Sequence, residues 1–111
     1  MKISLNISER LYVLALLNQF KGDLDKLAIV LDDIKQYPVA DAEWEKAERK
    51  ITKTSDGGDQ WIWDDKKGGE KEIDINKVVA DYLRTTIKGK SDKGELGLPD
   101  KALISLDKKL G

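Results

Sequence analysis

The fold is decided by the stretch from Ile7 to Phe20, whose sequence is ISERLYVLALLNQF. Most of these residues are good helix formers, and Asn6 followed three residues later by Glu9 is close to a capping box, so a helix is predicted from about residue 7 to residue 20. The run from Leu11 to Leu17 is apolar throughout and leaves almost no polar side on this helix. A helix that is apolar nearly all round needs neighbours on several sides. We therefore expect it to be the central core helix.

The segment that follows predicts a second helix from about residue 24 to residue 36. Lys21 and Gly22 break the first helix, and Asp23 is placed to cap the next. Because the connection is short, the two helices should form a helical hairpin. The predicted buried stripe recurs at three- and four-residue spacing and consists of Leu24, Leu27, Ala28, Leu31 and Ile34.

Two shorter elements complete the first 47 residues, which we expect to be mainly helical. Apolar and polar residues alternate over positions 1–5, which fits a brief strand or, equally, a frayed terminus. Pro38 marks a boundary after the second helix. Asp41 can cap a third, short helix that runs through Trp44 to Ala47.

Residues 48–75 are predicted to form a three-stranded antiparallel β-meander. The strand-like segments 49–54 and 60–64 are separated by the turn sequence SDGGD, and a second turn, DKKGG, leads to a segment in which Ile73 and Ile75 alternate with acidic residues. This alternation is typical of a half-buried strand. The turn sequences are short, so each strand is expected to pair with the next one along the chain.

Residues 76–111 return to a helical pattern. Asn76 can cap a helix that ends near Gly89, residues 89–98 are interpreted as a flexible connector, and Pro99 suits the first turn of a final helix that needs docking to be stable. The sequence thus predicts one α+β domain over residues 1–111. It would contain a helical hairpin plus a short helix, a three-stranded antiparallel β-meander and two C-terminal helices.

Taken in this order, the pattern resembles a group of small, uncharacterised proteins that recur in bacteriophage and prophage genomes. The resemblance implies an origin and a size class, and it supplies no catalytic or binding residues. It rests on the opening strand leading into Ile7-Ser8-Glu9-Arg10-Leu11, the turn Lys21-Gly22-Asp23-Leu24, the strand near Trp63, the strand Glu72-Ile73-Asp74-Ile75 and the terminal helix Leu98-Pro99-Asp100-Lys101-Ala102-Leu103.

The absence of both cysteine and histidine removes whole classes of function. It leaves no thiolate nucleophile, no disulfide, no imidazole base and none of the usual nitrogen or sulfur ligands of zinc and copper. The net charge of -1 argues against nucleic-acid binding driven by global charge. No apolar run is long enough to cross a membrane, and no secretory signal is evident near Met1, so we expect no membrane partner and a cytoplasmic location.

The remaining motifs do not predict an active site. Gly89-Lys90-Ser91 lacks the upstream glycine of a P-loop, since Arg84 stands at that position. Carboxylate pairs such as Asp32-Asp33 and Asp64-Asp65 are interpreted as solvated, because neighbouring side chains on a helix or strand usually point apart. We assign no catalytic residue, no metal ligand and no cofactor, and we expect no enzymatic activity.

The most suggestive functional feature is aromatic. Trp61 and Trp63 lie two apart on a predicted strand and should project from one face, which either packs on the first helix or forms an exposed binding surface. Trp44 sits in a short, highly charged helix and is expected to be partly exposed. These three tryptophans are the predicted protein-interaction residues, for a partner whose identity the sequence does not reveal.

The alternative interpretation is a nucleic-acid-associated protein that uses the C-terminal segment. Residues 77–111 carry eight basic and five acidic groups, and Lys88, Lys90 and Lys93 flank the predicted connector. The interspersed acidic residues weaken this field, so nucleic acid is the less favoured partner. The final helix and an edge strand each offer a surface for pairing two copies, and we lean towards a homodimer.

Overall fold

The computed structural model describes all residues from 1 to 111 and contains six helices and four strands. None of the helices combines the length and the apolar character that crossing a bilayer demands. The elements are β1 (Lys2–Leu5), α1 (Ile7–Leu17), α2 (Leu24–Asp33), α3 (Asp41–Lys46), β2 (Lys50–Lys53), β3 (Asp59–Ile62), α4 (Asp65–Gly68), β4 (Lys71–Asp74), α5 (Lys77–Asp92) and α6 (Ala102–Leu110), with 3-10 turns at Ile34–Gln36 and Leu98–Asp100.

Helix α1 occupies the centre of the molecule, as its sequence predicts. The Asn6 side chain accepts a hydrogen bond from the Glu9 amide at 2.8 Å, while the Glu9 carboxylate accepts one from the Asn6 amide at 2.9 Å, so the capping box is complete. Along the helix only Ala15 is exposed, and α4, α5 and α6 all contact it. The helix ends at Leu17, three residues before the predicted end. Phe20 then packs edge-on against Tyr82 of α5, with ring centroids 5.0 Å apart.

The α+β class is confirmed, but the three-stranded meander is not, because the strands form two separate sheets. Strand β1 pairs antiparallel with β4, with Ile3 opposite Ile73, while β2 pairs antiparallel with β3. The segment predicted as a turn between β3 and β4 instead forms the short helix α4. There the Asp64 side chain accepts hydrogen bonds from the amides of Lys66 and Lys67 at 2.9 and 3.3 Å, which favours a helical turn over a tight hairpin.

Helix α2 lies where predicted, but it buries a different face. Val30 and Asp33 are its buried residues, and it packs mainly against α5 rather than forming a hairpin with α1. Of the predicted buried stripe, Ile34 is only partly buried and the other four residues are exposed, with Leu24 at 83%, Leu27 at 39% and Leu31 at 56%. The apolar periodicity was therefore real, whereas the prediction of which face meets the core was wrong.

The C-terminal region is more helical than predicted, because α5 continues through Gly89 to Asp92. The residues between α5 and the 3-10 turn at Leu98 are only five. Helix α6 is docked on α1 by polar contacts as well as by leucines. The fully buried carboxylate of Glu9 accepts hydrogen bonds from Ser105 Oγ at 2.8 Å and Lys109 Nζ at 2.7 Å. This pairing compensates for burying the charge.

Two apolar clusters divide the interior. The larger contains fifteen buried residues, which come from α1, α2, α5, α6 and the β1–β4 sheet together with Tyr37 and Ile75. The smaller consists of buried Ile7, Trp44 and Ala47, with Leu11, Val39 and Trp63 packed against it. Because the smaller cluster joins α1 to α3 and to the end of β3, it fixes the position of the β2–β3 hairpin.

Candidate functional site: a tryptophan cluster beneath an exposed hairpin

The end of α3 directs the chain into the hairpin. Glu48 adopts a positive φ of 57°, and the amide of Arg49 donates to the carbonyl of Trp44 at 3.1 Å, which closes the helix in the manner of a left-handed C-terminal cap. The Glu48 carboxylate accepts a hydrogen bond from Lys67 Nζ at 2.7 Å, and this contact raises the pKa of Lys67. The amide of Asp64 returns to the carbonyl of Ala47 at 2.8 Å. Both ends of the hairpin are thereby tied to α3.

The three predicted tryptophans meet in one cluster, with Trp44 at its centre. The Trp44 ring lies edge-on to Trp61 at 5.8 Å and to Trp63 at 5.3 Å between centroids. Trp44 is only 7% exposed, so the expectation of partial exposure was wrong. Its apolar surroundings come from Ile7 and Ala47 rather than from its own charged helix.

Trp61 and Trp63 have different environments, so each of the two predicted alternatives describes one of them. Trp63 is partly buried against the smaller cluster, which includes Ile7 of α1. Its Nε1–H donates to Asp65 Oδ1 at 2.9 Å, and the same carboxylate accepts from the amide and the hydroxyl of Ser8 at 3.0 and 2.6 Å. Trp61 is 48% exposed. Trp63 is therefore an anchor, and Trp61 presents its ring to solvent.

An arginine completes the cluster. The Cζ atom of Arg49 lies 4.7 Å from the ring centroid of Trp61 and 5.1 Å from that of Trp44, within the range of a cation–π contact. Such a contact holds a flexible side chain against a flat one. The exposed ring of Trp61 thus packs edge-on against Trp44, and the Arg49 guanidinium lies over it.

All eight strand residues of the β2–β3 hairpin are exposed. Ile51 lies opposite Trp61 and is 56% exposed, and Ile62 on the other face is 49% exposed. At the tip, the Thr54 hydroxyl donates to the Asp56 carboxylate and lowers its pKa, while the Thr54 amide donates to the carbonyl of Gly58 at 2.8 Å. The hairpin is consequently ordered by its base and its tip rather than by burial.

The lysines of the alternative interpretation do not form one patch. Lys88 and Lys90 belong to α5 and are separated by about 200° around its axis, because each residue of an α-helix turns by about 100°. Lys93 occupies the C-cap position of the same helix. Lys90 and Lys93 are three residues apart and so share one side of the helix, whereas Lys88 is carried on another side.

Two polar features of the interior lacked a clear signal in the sequence. Arg10 is 2% exposed and donates through Nη2 to Glu43, and that hydrogen bond lowers the pKa of Glu43. Asp33, interpreted from the sequence as solvated, is 5% exposed. Of the buried polar residues, only Glu9 had a predicted hydrogen-bonding role, that of the capping box.

Comparison with known proteins identifies no relative from which a function for this site could be inferred. The surface around Trp61 and the buried polar side chains are the features from which a function can be argued. No group of three or more acidic side chains is arranged to hold a metal ion. The chain matches no protein-family model, no curated protein and no solved structure.

Proposed function

We propose that this protein is a non-enzymatic interaction module that binds another protein through the β2–β3 hairpin. The observation that carries the proposal is the half-exposed side chain of Trp61. Trp61 lies on a hairpin whose strand residues are all exposed, and its ring packs against the buried Trp44 of α3. Given the resemblance to phage and prophage proteins, we propose that the protein acts in the bacterial cytoplasm. There the module would act as an accessory or host-directed protein.

The chemistry of the hairpin surface supports this role. Trp61 and Ile51 are direct cross-strand neighbours and share a face with the Arg49 guanidinium stacked beside it. Tryptophan and arginine are the residue types most enriched at the energetic centres of protein interfaces. This arrangement leaves a large aromatic and aliphatic surface exposed in the free protein. A partner with an apolar patch could bury that surface on binding.

The rigidity of the Trp61 ring also favours binding. Binding is weakened when flexible side chains must be ordered at the interface, by about 0.5–1.5 kcal/mol for each one. Trp61 already contacts Trp44 and Arg49 in the free protein. Each strand of the hairpin also keeps one edge unpaired, so the partner can add backbone hydrogen bonds.

The test is a quantitative pull-down from bacterial lysate, with and without nuclease, that compares Trp61→Ala with Leu98→Ala. Leu98 is 91% exposed and lies far from the hairpin in sequence, so its variant controls for the loss of an exposed apolar side chain. We expect a protein that resists nuclease, is lost with Trp61→Ala and is retained with Leu98→Ala. The purified pair should then show a dissociation constant at least about tenfold weaker for Trp61→Ala.

Other outcomes would contradict the proposal. A partner retained equally by both variants would not bind the hairpin. Partners that disappear on nuclease treatment would favour the alternative interpretation, in which Lys88, Lys90 and Lys93 contact nucleic acid. A variant that replaces Trp44 and Trp63 together with Trp61 is unsuitable, because Trp44 and Trp63 anchor the smaller cluster and their loss would disturb the fold.

We further propose that two copies pair through the exposed leucine face of α2, formed by Leu24, Leu27 and Leu31. An antiparallel arrangement lets Leu24 of each copy meet Leu31 of the other, with the two Leu27 side chains close to the centre. A face of ten residues is only about 15 Å long, so the dimer should be weak.

Sedimentation equilibrium should show self-association that Leu31→Lys abolishes and Leu98→Lys does not. A wild-type protein that stays monomeric at about 1 mM would refute it.

A further inference from the structure

Arg10 is the most incompletely paired buried group in the molecule. Its side chain is 2% exposed, and of its nitrogen atoms only Nη2 has a partner, the Glu43 carboxylate. The Nε–H and Nη1–H groups are buried without any acceptor. A buried donor of a charged group that lacks an acceptor is destabilising, and native proteins rarely retain one without a reason.

Arg10 also forms part of the wall of a cavity of about 370 Å³ between α1, α3 and the connection from α4 to β4. Lys46 and Lys71 line the same cavity, so three cationic residues border it, although Lys71 Nζ also donates to the carbonyl of Gln36 at 3.2 Å. The carboxylates there are Glu43, which holds Arg10, and Glu70, which also binds Lys109 of α6. The connection itself contributes Gly68 and Gly69, and a side chain at Gly69 would begin 4.0 Å from Lys46 Nζ.

The Glu43 carboxylate is the group at this site that a ligand could replace on the Arg10 guanidinium. The Glu43 side chain is 30% exposed, so it can turn into water, whereas Arg10 on the central helix cannot leave the interior. Turning Glu43 outward would uncover the guanidinium towards the cavity. A ligand with more acceptor oxygens than one carboxylate would then satisfy donors that Glu43 leaves unpaired.

We propose that this cavity binds a phosphoryl group, which replaces Glu43 on Arg10 and is completed by Lys46 and Lys71. A planar carboxylate has only two oxygens to share among these donors. A tetrahedral phosphoryl group presents three or four, and guanidinium groups match its geometry in a bidentate manner. In the free protein Glu43 acts as an internal substitute for this ligand. The site is separate from the proposed hairpin surface and does not depend on it.

The replacement of Glu43 by glutamine distinguishes a binding site from a merely structural ion pair. If Glu43 competes with the ligand, Glu43→Gln removes a charged competitor and should tighten phosphate binding about tenfold. If the pair is only structural, the same substitution destabilises the fold and has no effect on phosphate. Arg10 itself is not replaced, because the loss of this buried side chain would disturb the fold together with the site.

The measurement is a titration of the full chain with inorganic phosphate, followed by ¹H–¹⁵N NMR. The Nε–H of Arg10 is shielded from water and gives a direct signal of its own. We expect this signal and the amides of Gly68 and Gly69 to shift and saturate. Lys46→Ala and Lys71→Ala should each weaken binding at least about threefold, whereas the matched exposed control Lys88→Ala should leave it unchanged.

Two further ligands define the chemistry. Acetate tests the carboxylate alternative, and a dissociation constant for acetate as low as that for phosphate would overturn the assignment to a phosphoryl group. O-phosphoserine separates a free anion from a phosphate ester: tighter binding than inorganic phosphate identifies an ester as the source, and equal binding identifies the free ion. Shifts without saturation, or an unchanged affinity in Glu43→Gln, would refute the proposal.

Discussion

Replacement of Trp44 by alanine should release the β2–β3 hairpin while the main core stays folded. Trp44 is 7% exposed and belongs to the smaller cluster, which is separate from the fifteen-residue core. A tryptophan side chain buries about 150–250 Å², which at about 25 cal/mol per Å² corresponds to about 4–6 kcal/mol. This is an upper bound, because the unfolded chain already buries part of that area, and we expect a loss of about 3–5 kcal/mol.

The size of this loss relative to the whole protein determines how it appears. A chain of 111 residues is stabilised by about 5–17 kcal/mol in total. A loss of about 3–5 kcal/mol confined to the smaller cluster would make local opening of α3 and the hairpin frequent before the molecule unfolds globally. Amide hydrogen exchange resolves the two processes, since each residue reports its own opening.

In Trp44→Ala, protection of the β2 and β3 amides should fall by about two to four orders of magnitude, whereas α1 and α5 should retain most of their protection. Trp61→Ala is the matched control. Its ring is 48% exposed, so the expected loss is only about 1–2 kcal/mol and about tenfold in hairpin protection. An equal fall across α1 and α5 would show that the two clusters form one cooperative unit, and unchanged hairpin protection would show that Trp44 is not the anchor.

Three further predictions concern the surroundings of this site. Gly68→Ala should destabilise the protein by about 1–3 kcal/mol in chemical denaturation, because the added Cβ would lie 2.7 Å from Ile7 Cδ1; a neutral effect would contradict the packing. Glu48→Gly should stabilise it by up to about 1 kcal/mol, since glycine adopts the positive φ without strain and the exposed pairing with Lys67 contributes little; a destabilised variant would contradict this reasoning. The pKa of Glu43 is lowered by its hydrogen bond from Arg10, so the stability that the ionised pair supplies is present above the ordinary value of 4.5 and is lost as the pH falls through the lowered value. Denaturation between pH 7 and pH 3 should therefore show a smaller acid-induced loss in Glu43→Gln than in the wild type.

The local part of this structure was predictable, since hydrophobic periodicity and capping chemistry act over a few residues. The central helix, its capping box and the three strand segments that now form β2, β3 and β4 follow from such signals. Pairing was not predictable in the same way. Alternation in the segment around Ile73 shows that one face is buried, but it does not show that the partner is β1, about seventy residues earlier in the chain.

The tryptophan cluster illustrates the same limit. The two-residue spacing of Trp61 and Trp63 correctly suggested a shared aromatic surface, and both rings contact Trp44. The burial of Trp44 depends on Ile7 and on the return of the chain at Ala47, which neighbouring residues in α3 do not reveal. Long-range packing thus decides which of three similar side chains is left to meet a partner.

Helix α2 shows how polar contacts can override hydrophobic periodicity. Its leucines form the wider apolar stripe, yet the helix turns its other side inward and buries Asp33. The Asp33 carboxylate accepts hydrogen bonds from Tyr37 Oη at 2.5 Å, Gln36 Nε2 at 2.9 Å and the amide of Asn76 at 3.1 Å. Burial, together with the hydrogen bond to Asp33, raises the pKa of Tyr37, so its hydroxyl keeps the proton that it donates.

This network fixes the rotation of α2, because only one orientation lets Asp33 reach donors from two directions. Tyr37 and Gln36 follow the helix in the chain, whereas Asn76 is the N-cap of α5 and would otherwise have a free amide. Rotating α2 to bury its leucines would leave the buried hydroxyl of Tyr37 without its acceptor, at a cost of about 1–3 kcal/mol, and would also remove the acceptor of the partly buried Asn76 amide. Burying a leucine returns about 1.5–3 kcal/mol, so the network offsets only part of the three-leucine stripe, and the present orientation gains the burial of Val30 as well. The exposure of the α2 leucines thus reflects contacts of Asp33 and Val30 that the hydropathy pattern does not contain, and the proposed pairing of two copies rests on that exposure.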